Sequence, residues 1–120
     1  MTGDRWRERL REEDVETRAL IVALSASIDG ISAAREGDNS DDEHDPEGTT
    51  IAFERSQAAA MRDQAAQRLD EIAAAFNRLD AGTFGICTEC GGEIAEARLD
   101  ARPYAALCVT CAGRSTRSPT

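Results

Sequence analysis

Four cysteines occur in the chain, in two pairs: Cys87-Thr88-Glu89-Cys90 and Cys108-Val109-Thr110-Cys111. They read C-x2-C-x17-C-x2-C, the spacing of a zinc module. Each C-x2-C turn can offer two thiolates to one ion, and four thiolates close a tetrahedral Zn2+ shell. A shell with no open position is structural, not catalytic. Gly91 and Gly92 follow Cys90, where a tight turn around a metal needs residues tolerant of positive φ. The opposing reading is a pair of disulfides or a redox pair. Disulfides are rare in reducing compartments, and nothing in the sequence points to secretion. The expectation is one structural Zn2+ held by Cys87, Cys90, Cys108 and Cys111.

The rest of the chain offers little material for a thick core. Of its 120 residues 41% are apolar, with alanine prominent, and only 4% are aromatic. Formal net charge is −9, and all 14 basic residues are arginine. A chain so acidic is repelled by nucleic acid unless its arginines cluster, which argues against a DNA-binding zinc ribbon. No segment approaches the roughly 20 apolar residues of a membrane-spanning helix. Met1 to Leu10 is charged throughout and lacks the apolar core of a signal peptide. A cytoplasmic protein with no membrane contact is the expectation.

Two long helices are predicted before the finger. From about Asp4 to Glu36 there is no proline, and Ile21, Leu24, Ile28 and Ile31 follow heptad steps. Trp6 and Leu10 extend this stripe, while Asp14 and Thr17 interrupt it, and Gly37 is a stop signal. The second helix starts at Asp45-Pro46-Glu47, with Asp as cap and Pro in the first turn. Ile51, Ala58, Ala65, Ile72 and Leu79 then recur every seven residues, and Gly82 ends the run. The fold class expected is all-α dominated: a long antiparallel two-helix coiled-coil hairpin over 1–81, then a small four-cysteine zinc finger over 82–112. A polar tail, 113–120, is expected to fray. If opposed residues sum to about 82, Trp6 meets Phe76, Leu10 meets Ile72, Ile21 meets Met61, Leu24 meets Ala58 and Ile31 meets Ile51.

The turn between the helices, 37–50, is an acidic tip with Asp38, Asp41, Asp42, Glu43, Asp45 and Glu47 and no arginine. Alone, it reads as a solvated loop. Its position at the end of a rod of about 48 Å, at ~1.5 Å per residue, suits it to reach a partner. Asp42 and Asp45 are the spaced pair suited to a cation or a basic groove, with His44 between them. Carboxylates on an open tip lack the enclosing walls that acid–base catalysis needs, and no nucleophile grouping, phosphate loop or H-E-x-x-H occurs. The chain is therefore not expected to be an enzyme. Arg98 and Arg102 lie between the cysteine pairs, either compensating the finger's charge or contacting a partner.

Gly85-Ile86-Cys87-Thr88-Glu89-Cys90-Gly91-Gly92-Glu93-Ile94, then Arg98-Leu99-Asp100-Ala101-Arg102-Pro103-Tyr104-Ala105 and Cys108-Val109-Thr110-Cys111, resembles the zinc-finger signature of the DksA/TraR family. The likeness is specific over about residues 82–112 and looser through the hairpin. It implies a bacterial regulator of transcription that binds RNA polymerase directly and not DNA; a monomer is the expectation, although a parallel dimeric coiled coil would use the same seam. In the family the hairpin enters the secondary channel and acids at its tip approach the active-site region. The resemblance thus makes Asp42, Asp45 and Glu47 partner-binding residues at the tip, and Arg98 and Arg102 partner-binding residues at the finger. The family's tip pattern is D-x-x-D-x-A. Aligned on spacing it gives Asp42 and Asp45, with Glu47 where alanine belongs. Aligned on the Asp-Pro pair it gives Asp45, with Gly48 in place of the second Asp and Thr50 in place of alanine, so the full motif is absent either way. The rival reading is a zinc-finger adaptor or structural module for another basic partner.

Overall fold

The computed structural model describes residues 2–37 and 46–117. Among them are four helices: α1 (Thr2–Gly37), α2 (Pro46–Ala81), α3 (Glu96–Ala101) and α4 (Val109–Arg117). An isolated antiparallel bridge joins Ile86 to Glu93. The fold is all-α dominated, as the two periodic stretches and the four-cysteine pattern led one to expect. Pro46 opens α2 from its first turn, where its missing N–H costs nothing. Gly82 closes the same helix with φ 78°, donating its N–H to Leu79 O at 3.2 Å, while Thr83 N–H reaches Arg78 O at 2.9 Å. This pair of bonds is the Schellman closure, which needs a left-handed residue at that point.

The chain divides into two compact units, Met1–Val15 with Arg68–Thr120, and Glu16–Gln67. In the first, the start of α1 packs antiparallel against the end of α2. Leu10, Ile72 and Ala75 are fully buried together, with Leu69, Phe76, Leu79, Phe84 and Tyr104 around them. Arg7 Nη2 pairs with Asp80 Oδ1 at 2.9 Å on the rim of the same seam. Leu10 therefore meets Ile72 as the register predicts. Trp6 does not settle on Phe76. It joins a second cluster with Cys87, Ile94, Leu99, Ala105 and Cys111, and its ring lies 5.7 Å from that of Phe84. The reason is size: the finger presents a broad apolar wall at the mouth of the seam, where an indole buries more area than between two helices. Leu79 and Phe84 belong to both clusters, so the finger and the helix ends share one continuous core.

The second unit is a pair of helices whose buried residues, among those described, are Thr17, Ile28, Ala58 and Ala65. Thr17, expected to interrupt the stripe, is 2% exposed and sits in the seam. The predicted register puts Ala65 opposite it, and so small a neighbour leaves room for a β-branched side chain. Leu24 lines a shallow groove with Ser27, Glu54, Gln57, Ala58 and Met61, in keeping with its predicted pairing to Ala58. Met61 lies on the groove's open side and remains half exposed. The side chain of Ile31 lies outside the described residues, as do Asp42, His44 and Asp45.

α1 runs to Gly37, the stop signal, and α2 starts at Pro46, within the Asp45-Pro46-Glu47 start signal. One boundary differs from that read in the sequence: α4 continues to Arg117, past the point where a polar tail was expected. Once a first turn is anchored at Cys108, Ser, Thr and Arg propagate a helix at small cost, and nucleation is the expensive step.

Candidate metal centre

The first cysteine pair sits on a small knuckle. Cys87 N–H donates to Gly92 O at 2.7 Å, Gly91 N–H to Cys87 O at 3.0 Å and Ile94 N–H to Gly85 O at 2.8 Å. Gly91 makes the reversal with φ 76°, a backbone region that costs glycine nothing. Gly92 does not adopt positive φ; its N–H instead faces Cys90 Sγ at 3.4 Å. The second pair brackets the start of α4. Cys111 N–H points at Cys108 Sγ at 3.5 Å, so the Cys108 sulfur occupies the place of a capping oxygen. A thiolate there also benefits from the positive end of the helix dipole. Thr88 ties the two halves together, its N–H and Oγ1 reaching Ala106 O at 2.9 and 3.3 Å.

These bonds bring the four sulfurs within 4.8 Å of one another. Cys90 Sγ and Cys108 Sγ are 3.9 Å apart. A tetrahedron with Zn–S bonds of about 2.3 Å has edges of about 3.8 Å, so the cage has the size of a zinc shell. Cys87 and Cys111 are buried, Cys108 is half-buried and Cys90 is exposed. The Cys87 thiol is pulled down to about 6, chiefly by the Cys90 backbone N–H and also by that of Cys108. Cys111 is pushed up to about 12, first by its hydrogen bond with the Cys108 sulfur and then by burial. Packed so closely, the sulfurs cannot all ionise without a cation among them. The four cysteines form a structural zinc site, with every ligand position taken by protein.

Of the two arginines singled out between the cysteine pairs, Arg98 donates Nε to Leu107 O at 2.8 Å, bracing the irregular segment that delivers Cys108. The Cys90 and Cys108 sulfurs are met by the backbone N–H groups of Gly92 and Cys111. Arg102 is exposed. Glu47 lies in the first turn of α2.

Three other arginines, unremarked in the sequence, hold the helices to the finger. Arg5 Nη1 binds Glu96 Oε1 at 2.8 Å, Arg5 Nη2 binds Asp100 Oδ1 at 2.5 Å, and Arg9 Nη2 binds Asp100 O at 2.6 Å. Arg5 also lies 4.3 Å over the Trp6 ring. Arg78 Nη2 reaches Tyr104 O and Ala105 O at 3.4 and 3.3 Å from the last turn of α2, and burial lowers its pKa. No local pattern marks these residues, because Arg5 and its partners are 91 and 95 positions apart.

Residues 82–117 match the model of the prokaryotic DksA/TraR C4-type zinc finger. An uncharacterized protein from Aquifex aeolicus is 48% identical over 42 residues, which is 35% of this chain and 29% of that protein. The RNA polymerase-binding transcription factor DksA of Haemophilus influenzae is 49% identical over 41 residues, 34% of this chain and 28% of that one. The matched stretch thus spans under a third of either relative. Over the whole fold, the solved structure of transcription factor DksA2 from Pseudomonas aeruginosa superposes with TM-score 0.74 at 25% identity, covering 96% of this chain and 83% of that one.

Proposed function

The chain belongs to the DksA/TraR family of C4-type zinc-finger proteins, and from that premise we propose that it regulates transcription by binding RNA polymerase. The observation that carries the reading is the combination of this finger with two long helices in a fold like that of DksA2 over nearly the whole chain. Domain assignment follows as part of the proposal: helices to residue 81, with the acidic turn between them, then the finger.

The protein acts by contact, without catalysis. Its finger and the adjoining helix ends supply a rigid base, and the helices carry an acidic turn into the polymerase's secondary channel. Asp42 and Asp45, with Glu47 behind them, perturb cations or a mobile loop there through charge. Arg102 is the exposed basic contact at the finger, and Arg98 holds the segment beside it in place. A net charge of −9 suits a protein partner and opposes direct binding to nucleic acid. No helix among the described residues is long and apolar enough to cross a membrane. A monomer in the cytoplasm is part of the same proposal.

The test pairs a binding assay with transcription in vitro. Asp42→Asn with Asp45→Asn keeps side-chain size and removes charge. The double variant is expected to bind polymerase within a fewfold of wild type and to lose most of its effect on transcription. Failure of the wild-type chain to retain polymerase from solution would remove the proposal.

A further inference from the structure

The four sulfurs are unequally sheltered. Cys90 is exposed and Cys108 half-buried, whereas Cys87 and Cys111 are 2% and 4% exposed. The cluster that buries these two contains Ile94, Leu99 and Ala105 from the finger, and Trp6 from the second turn of α1. Trp6 is itself 7% exposed and is the chain's only tryptophan. Arg5 and Arg9, on either side of it, bind the α3 segment through Glu96, Asp100 and the Asp100 carbonyl. Trp6, outside the matched finger 82–117, thus completes the buried cluster in which Cys87 and Cys111 sit.

We propose that Trp6 is a positioning residue of the zinc site: with Arg5 and Arg9 as its clamp, it keeps Cys87 and Cys111 fixed and dry, and so controls how fast the metal leaves. Exchange of a thiolate-bound ion begins at the ligand a competing chelator can reach first, here the exposed Cys90, with half-buried Cys108 next. Release is complete only when the sheltered pair lets go. Groups behind the ligands set how firmly they are held, and their loss typically costs about 10–100-fold in metal affinity. The inference rests on the zinc site alone and is independent of any binding to polymerase.

The experiment follows zinc transfer from the full-length holoprotein to a chromogenic chelator. Trp6→Ala is expected to speed release by about tenfold or more. Trp6→Phe keeps an apolar aromatic wall and should stay within a fewfold of wild type. Leu10→Ala weakens the neighbouring helix seam without touching the cysteine cluster, and should leave the rate near that of wild type. A rate for Trp6→Ala equal to wild type, or equal acceleration by Leu10→Ala, overturns the proposal. The wild-type protein provides a second measurement that stands whether or not Trp6→Ala folds. As zinc is withdrawn, Trp6 emission should shift to the red together with the chelator signal, because the indole loses its packing. Emission unchanged after complete withdrawal also overturns it.

Discussion

The two units of this molecule are built from the same pair of helices and stabilised in different ways. The unit that includes the finger buries Trp6, Leu10, Ile72, Ile94 and Leu99, closes them around a four-sulfur metal site, and cross-links its pieces with arginine clamps. Among the described residues of the unit formed by Glu16–Gln67, the buried ones are Ile28, Thr17, Ala58 and Ala65. Alanine allows close approach of the helices and adds helical propensity, but contributes little area to the core. Val22 and Phe53 point outward there, 69% and 65% exposed. Stability is therefore concentrated in the unit that includes the finger, where long-range contacts and the metal site coincide. The Ala-rich unit depends on local helix formation and a narrow seam.

Removing the metal should separate the two most strongly. Withdrawal of zinc, or Cys87→Ser, is expected to unfold the finger while most helical signal persists, because metal binding and folding are coupled where the ligands are. Hydrogen exchange reads this directly: amides of 84–112 should lose protection, and those of 50–67 should keep theirs. Equal loss in both stretches would mean that the units do not differ in the way described.

The same substitution in each seam gives the next largest contrast. Leu10→Ala empties a fully buried site and should cost about 3 kcal/mol, within the range seen for core leucines. Leu24→Ala removes a half-buried side chain from an open groove, which can relax and hydrate, and about 1 kcal/mol is expected. Denaturant melts of the two variants decide this, and a larger loss for Leu24 would reverse the ranking of the seams.

The smallest effect is expected at the clamp. Arg5→Ala removes two ion pairs, but all three side chains are about half exposed or more, so solvent and salt screen them. A barely measurable drop in melting temperature is expected at low salt, disappearing at high salt. A large, salt-independent drop would show that Arg5 acts through its packing on Trp6.

Local chemistry determined much of this protein before any packing was considered. Cysteine spacing pointed to the zinc site, because two C-x2-C turns can each offer two thiolates to one ion and together complete a tetrahedral shell. Heptad periodicity, Pro46 and Gly82 specified the long helices and two of their limits, since these signals act within one or two turns of chain. The Leu10–Ile72 register followed from the same periodicity. What the tertiary structure alone decided depends on residues far apart in sequence. Trp6 left its expected partner Phe76 for the finger, where more apolar surface awaited it. Thr17, polar by type, became core because its place in the seam was set by the helices around it. Arg5, Arg9 and Arg78 read as ordinary surface charges, and became clamps only when folding brought α3 and the Tyr104–Ala105 carbonyls to them. A side chain's type restricts which contacts it can make, but the choice among them is made by the surface that the rest of the chain delivers.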